Sequence, residues 1–296
     1  MQNMKRKLVS VIIPTYLRPD NILRAIDSVL KQTYKPIEII IVDDNGINTS
    51  FQIETEKKLQ PLIDERKIVY IKHEINKNGS AARNTGLKAS HGDFINFLDD
   101  DDIFMSDKIQ KQISNLEKKT SDFGGITCNI KVISSSHSFY TNNLKEGNLA
   151  EPLLCGKMRF NTSSILFRRE VLEEINGFDE TFYRHQDWEL YIRFFRKYKM
   201  AVSQEVLLHK ISTPNVLSKS PLKAIEYKYK FLDTFKDDIL KMNHPNQIYK
   251  YQYETLALFL LQEKCKTEGI SYLKKAASYG CLSFYTLLKT VYYLIK

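Results

Sequence analysis

Several features that would assign this 296-residue chain to a familiar class are scarce or absent. Its four cysteines are far apart and form no CxxC motif, which predicts free thiols in a reducing compartment. No window offers the roughly 20 apolar residues of a bilayer-spanning helix. The basic N-terminus leads into a short β-branched stretch and not into a secretory apolar region. We therefore expect a cytoplasmic protein without a membrane-spanning segment.

Two kinds of phosphate-binding loop are also missing after the first predicted strand. No GxGxxG motif follows it, which disfavours a dinucleotide oxidoreductase. Residues 14–17 also lack the glycines and lysines of a nucleotidyltransferase loop. The net charge of +9 favours anionic partners, such as nucleotide phosphates or an anionic membrane surface. Nucleic-acid binding would rest on this charge alone, so we do not predict it.

The composition, with 43% hydrophobic and 27% charged residues, is that of a folded globular protein. Short, continuous apolar stretches alternate with helical patterns over the first hundred residues, and Asp20 is placed to cap the first helix. The pattern β-α-β-α-β-α-β predicts a doubly wound parallel sheet. The predicted strands are 8–13, 37–42, 67–72 and 93–98, and the later helices are 51–65 and 79–89.

From about residue 105 the pattern becomes mixed and then helical. A strand at 163–167 stands among the elements that predict a mixed second half of the same domain. After residue 221 only helices are predicted, the first of them over 224–242. We therefore expect one domain at 1–220, divided near residue 102, and a helical region at 221–296.

Polar residues follow the first, second and fourth predicted strands at one edge of the sheet. Ligands of such sheets bind outside the carboxyl ends of the strands. The four adjacent carboxylates of 99–102 would repel one another, and a hard divalent cation would remove that cost. A solvated acidic turn is the alternative. Asp43 and Asp44 could accept hydrogen bonds from a nucleobase or a ribose, or could form a β-turn with the Asn-Gly that follows.

Three later residues are further candidates. Arg83, near the start of a helix, could reach a nucleotide or pair with an aspartate, or could lie on the surface. Asp187 begins a helix beside the only tryptophan, and could deprotonate a bound hydroxyl or merely cap the helix. His209, at a strand end, could complete a metal shell or be a structural histidine.

Together these segments resemble glycosyltransferase family 2, an inverting family with the GT-A fold, over about residues 8–210. Two positions depart from its pattern: Gln186 replaces a common Glu, and Asn78 stands where glycine is usual. The resemblance implies a Rossmann-like, mostly parallel sheet flanked by helices, with a C-terminal helical appendage. Residues 1–102 would form the nucleotide-sugar half and 103–220 the acceptor half. The matching segments are 9–16, 41–44, 82–86, 92–102, 177–180 and 186–188.

The resemblance also implies roles for single residues. Asp101 and His209 would hold Mn²⁺ or Mg²⁺, and Asp187 would be the catalytic base. Gln186, Trp188 and the stretch 159–163 would lie near the acceptor. The residues assigned to the nucleotide sugar are Pro14, Thr15, Tyr16, Arg18, Asp43, Asp44, Asn76, Arg83, Asp99 and Asp100.

The activity that the resemblance implies is sugar transfer from a nucleotide-diphosphate sugar, most frequently a UDP-sugar in this family. The acceptor would be a hydroxyl of a glycan or a lipid-linked saccharide, in cell-surface polysaccharide biosynthesis. Two alternatives stay open: a catalytically inactive scaffold that binds carbohydrate or membrane, and a sugar-nucleotide nucleotidyltransferase.

The helical region at 221–296 contains 12 lysines and 7 acidic residues, an excess of five positive charges (12 − 7), and 14 tyrosines and phenylalanines. Its last segment, 283–295, is loosely amphipathic and rich in aromatic residues. Peripheral attachment to the inner face of the plasma membrane is one hypothesis. Packing against the catalytic domain or against a second copy in a homo-oligomer is the other.

Overall fold

The computed structural model describes residues 6–134, 137–141, 144–158, 161–212 and 220–295. The chain divides into two compact units, residues 1–148 with 160–214 and residues 149–159 with 215–296. Residues 149–159 precede the predicted domain boundary near 220 and nevertheless group with the helical unit.

Within the described residues, nine strands form one sheet in the order β3-β2-β1-β4-β8-β6-β9-β5, with β7 paired to β6. Apolar β-branched residues dominate β1 and β2, as expected for strands buried on both faces. The strands are β1 (Val9–Thr15), β2 (Ile37–Asp43), β3 (Val69–Lys72), β4 (Phe94–Phe97), β5 (Ile103–Phe104), β6 (Phe123–Ile133), β7 (Ser138–Tyr140), β8 (Leu166–Arg168) and β9 (Lys199–Ile211).

The first half of the sheet is parallel, as the alternating pattern predicts. β1 pairs with β2 and β4, and β2 pairs with β3, all in parallel. The register sets Thr15 beside Asp43, so that β1 and β2 end at the same edge. The backbone N–H of Leu98, just after β4, donates to the carbonyl of Ile12 in β1. The aspartates that follow Leu98 therefore begin at this edge as well.

The second half of the sheet is mixed, as predicted. β8 pairs antiparallel with both β4 and β6, and β9 pairs in parallel with β6 and antiparallel with β5. The flanking helices of this unit are α1 (Ile22–Leu30), α2 (Ser50–Asp64), α3 (Gly79–Ala89), α4 (Lys108–Leu116), α6 (Arg169–Glu174) and α7 (Gln186–Phe195).

The helix α3 packs very closely on β1. A Cβ atom at Gly86 would lie 2.3 Å from the side chain of Ile12, so only glycine allows this approach. The side chain of Asn78 caps the start of α3 and accepts hydrogen bonds from the backbone of Ser80 and Ala81. Asn78 has a φ of 97°, and it replaces the glycine usual in the family because asparagine tolerates positive φ.

Three local predictions were wrong. Asp20 does not cap α1: the N-cap is Asn21, without a side-chain bond, and Asp20 pairs with Lys58. The predicted strand at 163–167 starts later, because Asn161 caps a 3₁₀ turn at Thr162–Ser164. The predicted helix at 224–242 is interrupted at Phe235, which leaves helical geometry (φ −107°, ψ 18°) while its ring is buried.

The second unit consists of helices packed around α10 (Pro245–Gln262). Two hydrophobic clusters hold these helices together. In one, Ala224 packs with Leu256 and Leu260, and in the other, Leu261 packs with Leu273. No helix in the described ranges is long and apolar enough to cross a membrane. The helices are α5 (Ala150–Leu154), α8 (Pro221–Thr234), α9 (Lys236–Leu240), α10 (Pro245–Gln262), α11 (Lys266–Ala277) and α12 (Phe284–Ile295).

Candidate active site

The aspartates that follow β4 lie beside basic and hydroxyl side chains from other parts of the first unit. A guanidinium nitrogen of Arg18 lies 2.6 Å from Asp101 and 3.3 Å from Asp100. Thr15, at the end of β1, donates its hydroxyl to Asp100 at 2.8 Å. The structure therefore brings together two of the strand ends that the sequence predicts to meet.

Burial makes two of these carboxyls harder to ionise than aspartates in water. It raises the pKa of Asp100 to about 6 and the pKa of Asp102 to about 7. The hydroxyl of Ser163 donates to Oδ2 of Asp102 at 2.7 Å. The other oxygen of Asp102, Oδ1, is buried and has no hydrogen-bond partner among the described residues. A further positive charge here would favour the ionised carboxylates.

Arg83 joins the aspartates to the helix that carries Asp187. Its guanidinium contacts Oδ1 of Asp99 at 2.7 Å and donates to Oε1 of Gln186 at 3.3 Å. Burial alone would raise the pKa of Asp99, but the charges of Arg83 and Lys210 hold it below its usual value. Arg83 is therefore the physical link between the end of β4 and the start of α7.

Asp187 lies in the first turn of α7, after His185, which has a left-handed backbone conformation (φ 59°). The Asp187 carboxylate accepts the backbone N–H of Trp188 at 3.0 Å. Burial raises the pKa of Asp187, while Arg83 opposes the rise. The carboxylate of Asp99 also acts on this pKa, so Asp187 shares the electrostatic environment of the aspartate run.

The other acidic pair is engaged within the protein. Asp43 is fully buried. One of its oxygens accepts two N–H groups of Asn45, at 2.9 and 2.7 Å, and the other accepts the hydroxyl of Tyr70 at 2.6 Å. The predicted contact of Asp43 with a nucleobase stays a prediction. Pro14 is partly buried and pairs with Val42, the residue before Asp43, and Tyr16 is exposed at the same edge.

Asp44 holds the loop that precedes α3. Its carboxylate contacts the His73 ring at 2.7 Å and accepts the Asn76 side-chain amide at 2.8 Å. It also accepts the backbone N–H groups of Lys77 and Asn78, at 2.8 and 2.9 Å. Asp44 and Asn76 thus position the helix that carries Arg83. Direct contact of either one with a nucleotide stays a prediction.

On β9, Lys210 faces the aspartates rather than His209. The Nζ atom of Lys210 lies 3.9 Å from Asp102, and the carboxylates of Asp102, Asp99 and Asp101 raise its pKa against the effect of burial. Successive side chains of a strand point to opposite faces. The pKa of His209 is lowered by burial and by the charge of a neighbouring lysine, Lys131. The structure therefore does not bring His209 to the carboxylates.

The residues assigned to the acceptor lie around the start of α7. Trp188 is partly buried, and its ring stacks on that of His185 at a centroid distance of 5.3 Å. The hydroxyls of Thr162 and Tyr191 hydrogen-bond at 3.1 Å. Of the predicted stretch 159–163, residues 159 and 160 lie outside the described residues. An acceptor role for this region stays a prediction.

The donor atoms at the aspartate run fit a hard divalent cation. Carboxylate oxygens are the ligands that Mg²⁺ and Mn²⁺ prefer, and the buried Oδ1 of Asp102 lacks a hydrogen-bond partner in the described part of the chain. No group of three His, Cys, Asp or Glu side chains there is arranged to hold a metal by itself. Substrate phosphates would therefore have to supply further ligands, as is usual for Mg²⁺.

Sequence reasoning missed three polar residues of this region: Asn45 and Tyr70, which satisfy Asp43, and Lys210. The alternation of β9 carried a signal for the last, because only one residue of the pair 209–210 can face the site. Nothing in the sequence indicated which one. No sequence signal pointed to Tyr70, since its contact depends on the β2–β3 pairing.

Comparison with known proteins agrees with this geometry. The family model "Glycosyl transferase family 2" matches residues 10–176. The amylovoran biosynthesis glycosyltransferase AmsB of Erwinia amylovora is 28% identical over 267 residues, covering 86% of this chain and 85% of AmsB. The UDP-Glc:alpha-D-GlcNAc-diphosphoundecaprenol beta-1,3-glucosyltransferase WfgD of Escherichia coli is 30% identical over 196 residues, covering 64% of this chain and 70% of WfgD.

The fold is similar to that of a solved structure that contains a nucleotide sugar. The structure of S. aureus TarS residues 1–349 in complex with UDP-GlcNAc superposes with a TM-score of 0.67 at 17% identity, covering 92% of this chain and 80% of that one. The chain belongs to glycosyl transferase family 2 and has the GT-A fold. The predicted family, fold and enzyme class, a glycosyltransferase, are confirmed.

Proposed function

We propose that this glycosyltransferase moves a sugar from a UDP-sugar to a hydroxyl of a glycan or a lipid-linked saccharide, with inversion and with help from a divalent metal. The process served would be the biosynthesis of a cell-surface polysaccharide. The names of AmsB and WfgD support the process and the acceptor class, and the UDP-GlcNAc bound to TarS supports the donor class.

The observation that carries the proposal is the double contact of Arg83. It ties Asp99, at the donor edge of the sheet, to Gln186, next to Asp187. This contact supports a donor-binding group and an acceptor-activating group that would lie near one another, as a single displacement requires. Asp187 would take the proton of the acceptor hydroxyl as its oxygen attacks the anomeric carbon, and the bond to the diphosphate would break on the opposite side.

The environment of Asp187 suits this role. Burial raises its pKa, so its carboxylate is a stronger base than an aspartate in water. The backbone N–H of Trp188 orients one of its oxygens. Gln186 replaces the glutamate common in the family, so Arg83 meets a neutral amide there and its charge stays directed at Asp99.

Asp101 would hold the divalent metal, and the metal would stabilise the negative charge of the departing diphosphate. Arg18, Arg83 and Lys210 would neutralise the rest of the charge at this edge. His209 would not be needed for this arrangement.

The experiment is a transfer assay with a panel of UDP-sugars, a polyprenyl-diphosphate saccharide acceptor, and Mn²⁺, Mg²⁺ or a chelator. We expect metal-dependent release of UDP and a product of inverted configuration. Asp187→Asn should lower kcat by about 10² to 10⁴, the usual contribution of a general base. Asp27→Asn is the matched control, because the side chain of Asp27 is exposed on α1, where it pairs with Lys31.

A donor that binds but is never turned over, with or without metal, would contradict the proposal and favour an inactive scaffold. Asp187→Asn protein that transfers sugar at the normal rate would remove the role of Asp187. A product of retained configuration would exclude the single displacement.

A further inference from the structure

The helix α12 exposes large apolar side chains to solvent, which is unusual for a helix of a globular protein. Such helices normally bury their apolar face and expose their polar one. At 3.6 residues per turn, Phe284, Leu288, Val291 and Ile295 lie on one side of α12. They are 75%, 56%, 56% and 82% exposed. We call these four residues the outer face of α12.

The side of α12 that packs on the second unit is less apolar than its outer face. Thr286 is the buried residue of this helix, and the hydroxyl of Thr290 is buried as well. Tyr293 packs against a cluster formed by Ala257, Leu261 and Leu273. Hydrophobic burial within this unit therefore does not account for the apolar residues of the outer face. A contiguous exposed apolar surface of this kind marks a site of interaction.

Aromatic and basic side chains border the outer face. Tyr285 and Tyr292 lie along one flank and are 63% and 51% exposed. The Nζ atom of Lys289 lies 5.8 and 5.7 Å from the centroids of their rings. Tyrosines and lysines at the border of an apolar surface are typical of the boundary between lipid headgroups and acyl chains, where one end of each side chain is wet.

The charge around α12 indicates whether a second copy of the chain or an anionic surface binds to the outer face. Residues 264–296, which include α11 and α12, contain six lysines and one glutamate. The excess of five positive charges in the whole region 221–296 therefore lies in its last 33 residues. A second copy of the same basic segment would be repelled, whereas an anionic surface would be attracted.

We propose that the outer face of α12 inserts into the headgroup region of an anionic phospholipid bilayer and holds the enzyme on the membrane surface. The twelve residues of α12 span about 18 Å at 1.5 Å per residue, short of the roughly 30 Å hydrocarbon core. The helix therefore lies in the plane of the interface with its apolar side chains buried in lipid. The role is independent of the transfer chemistry proposed above.

The test is flotation of the full chain with vesicles of phosphatidylcholine alone or of phosphatidylcholine with phosphatidylglycerol, without donor or acceptor. We expect binding to the anionic vesicles that weakens as salt is raised, because screening removes the electrostatic part. The double variant Leu288→Gln, Val291→Gln should bind at least about tenfold more weakly, since each exposed apolar side chain contributes when it enters lipid. The matched control is Leu222→Gln, Leu240→Gln, because these leucines are 77% and 54% exposed and lie on other helices, α8 and α9.

Three outcomes would overturn the proposal. The first is no flotation of the wild type with anionic vesicles, and the second is equal binding of the double variant and the control. The third is that the double variant turns a wild-type dimer into a monomer, or lowers its melting temperature by several degrees, without a change in lipid binding. That result would show that protein covers the outer face. Since no substrate is present, failure here leaves the proposed transfer activity untouched.

Discussion

At the residue scale, the chemistry depends on carboxyl groups that burial has made less acidic. Asp187 is one case: burial raises its pKa, and the hydrogen bond from the backbone of Trp188 and the charge of Arg83 oppose the rise. The carboxylate form is the one that can accept a proton. The same burial that strengthens the base therefore moves the onset of activity to higher pH.

We predict that kcat, measured at saturating donor and acceptor, falls as the pH drops through a value above 3.9, the ordinary pKa of aspartate. The direction follows from the raised pKa of Asp187, because lowering the pH protonates the base. Enzyme held at low pH and assayed at pH 7 should recover fully, which separates titration from unfolding. An acid limb at or below the ordinary value would contradict the role of Asp187.

A second buried charge lies outside the site. Lys108, in α4, is fully buried, donates to the amide oxygens of Asn96 and Gln112, and has no carboxylate partner among the described residues. Its Nζ atom lies 4.1 Å from the centroid of the Phe104 ring. Burial lowers the pKa of Lys108 to about 7. Asn96 and Gln112 in turn donate to the backbone of the 3₁₀ turn, at Ser163 and Ser164.

This burial predicts a pH-dependent stability. Between pH 7 and about 10 the unfolded chain holds a proton on Lys108 that the folded protein has lost, so stability rises with pH. Relative to Lys108→Met, the free energy of unfolding of the wild type should increase by up to about 1.4 kcal/mol per pH unit. Urea denaturation at several pH values measures this difference. Lys118→Met, an exposed lysine just past α4, controls for the loss of a lysine, and a difference that is constant with pH would refute the assignment.

At the element scale, two glycines of α3 allow the close packing that positions the Arg83 side chain. Gly86 lets the helix approach β1, and Gly79 leaves room for the contact between Arg83 and Gln186. A Cβ atom at Gly79 would lie 2.9 Å from Nη1 of Arg83 and 3.1 Å from Oε1 of Gln186. Both atoms are at the ends of flexible side chains, so the fold can adjust while the site cannot keep its geometry.

Gly79→Ala should therefore lower kcat/KM without lowering stability. We expect a loss of roughly tenfold to a hundredfold, the range that small misplacements of catalytic groups produce. Steady-state kinetics and the urea midpoint measure the two effects. Ser80→Ala, at the next position of α3, is the control, because the buried Ser80 hydroxyl has no hydrogen-bond partner in the described structure. A normal rate for Gly79→Ala would show that the contact of Arg83 with Gln186 is dispensable.

The alternation of β9 makes a second prediction at this scale. Lys210→Met should raise the KM for the donor about tenfold, because a cation beside Asp102 and Asp99 is lost. His209→Ala should leave both the KM and the metal dependence nearly unchanged. Titration of activity with Mn²⁺ for the two variants decides between them. A much weaker response to metal in His209→Ala would restore the histidine as a ligand.

The helical elements could be predicted from periodicity, and α3 was predicted with the bounds that the structure has. The residues at which helices begin and end were harder to predict. Asp20 and Asn21 are both good capping residues, but Asn21 takes the N-cap position and Asp20 pairs with Lys58, on α2. The interruption at Phe235 could not be predicted either, because neither glycine nor proline marks it in the sequence.

At the scale of the whole molecule, the chain combines a glycosyltransferase unit with a basic helical one. Residues 149–159 belong to the helical unit although they interrupt the first unit in sequence. Their interactions explain this grouping: Glu151 contacts His244 and Asn243, and the amide of Gln252 donates to the carbonyl of Leu154. A local sequence pattern cannot predict these contacts, because the two residues of each contact are more than 90 positions apart in the chain.

The sequence by itself determined the alternation of strands and helices in the first hundred residues, the edge at which the aspartates lie and the family, because buried parallel strands and polar strand ends are local patterns. Only the tertiary structure decided which charges meet. It placed Lys210 and not His209 beside the aspartates, and it turned Asp43 and Asp44 toward Tyr70 and the loop before α3. It also left the apolar side of α12 exposed. These outcomes depend on register and on packing between distant segments, which periodicity does not encode.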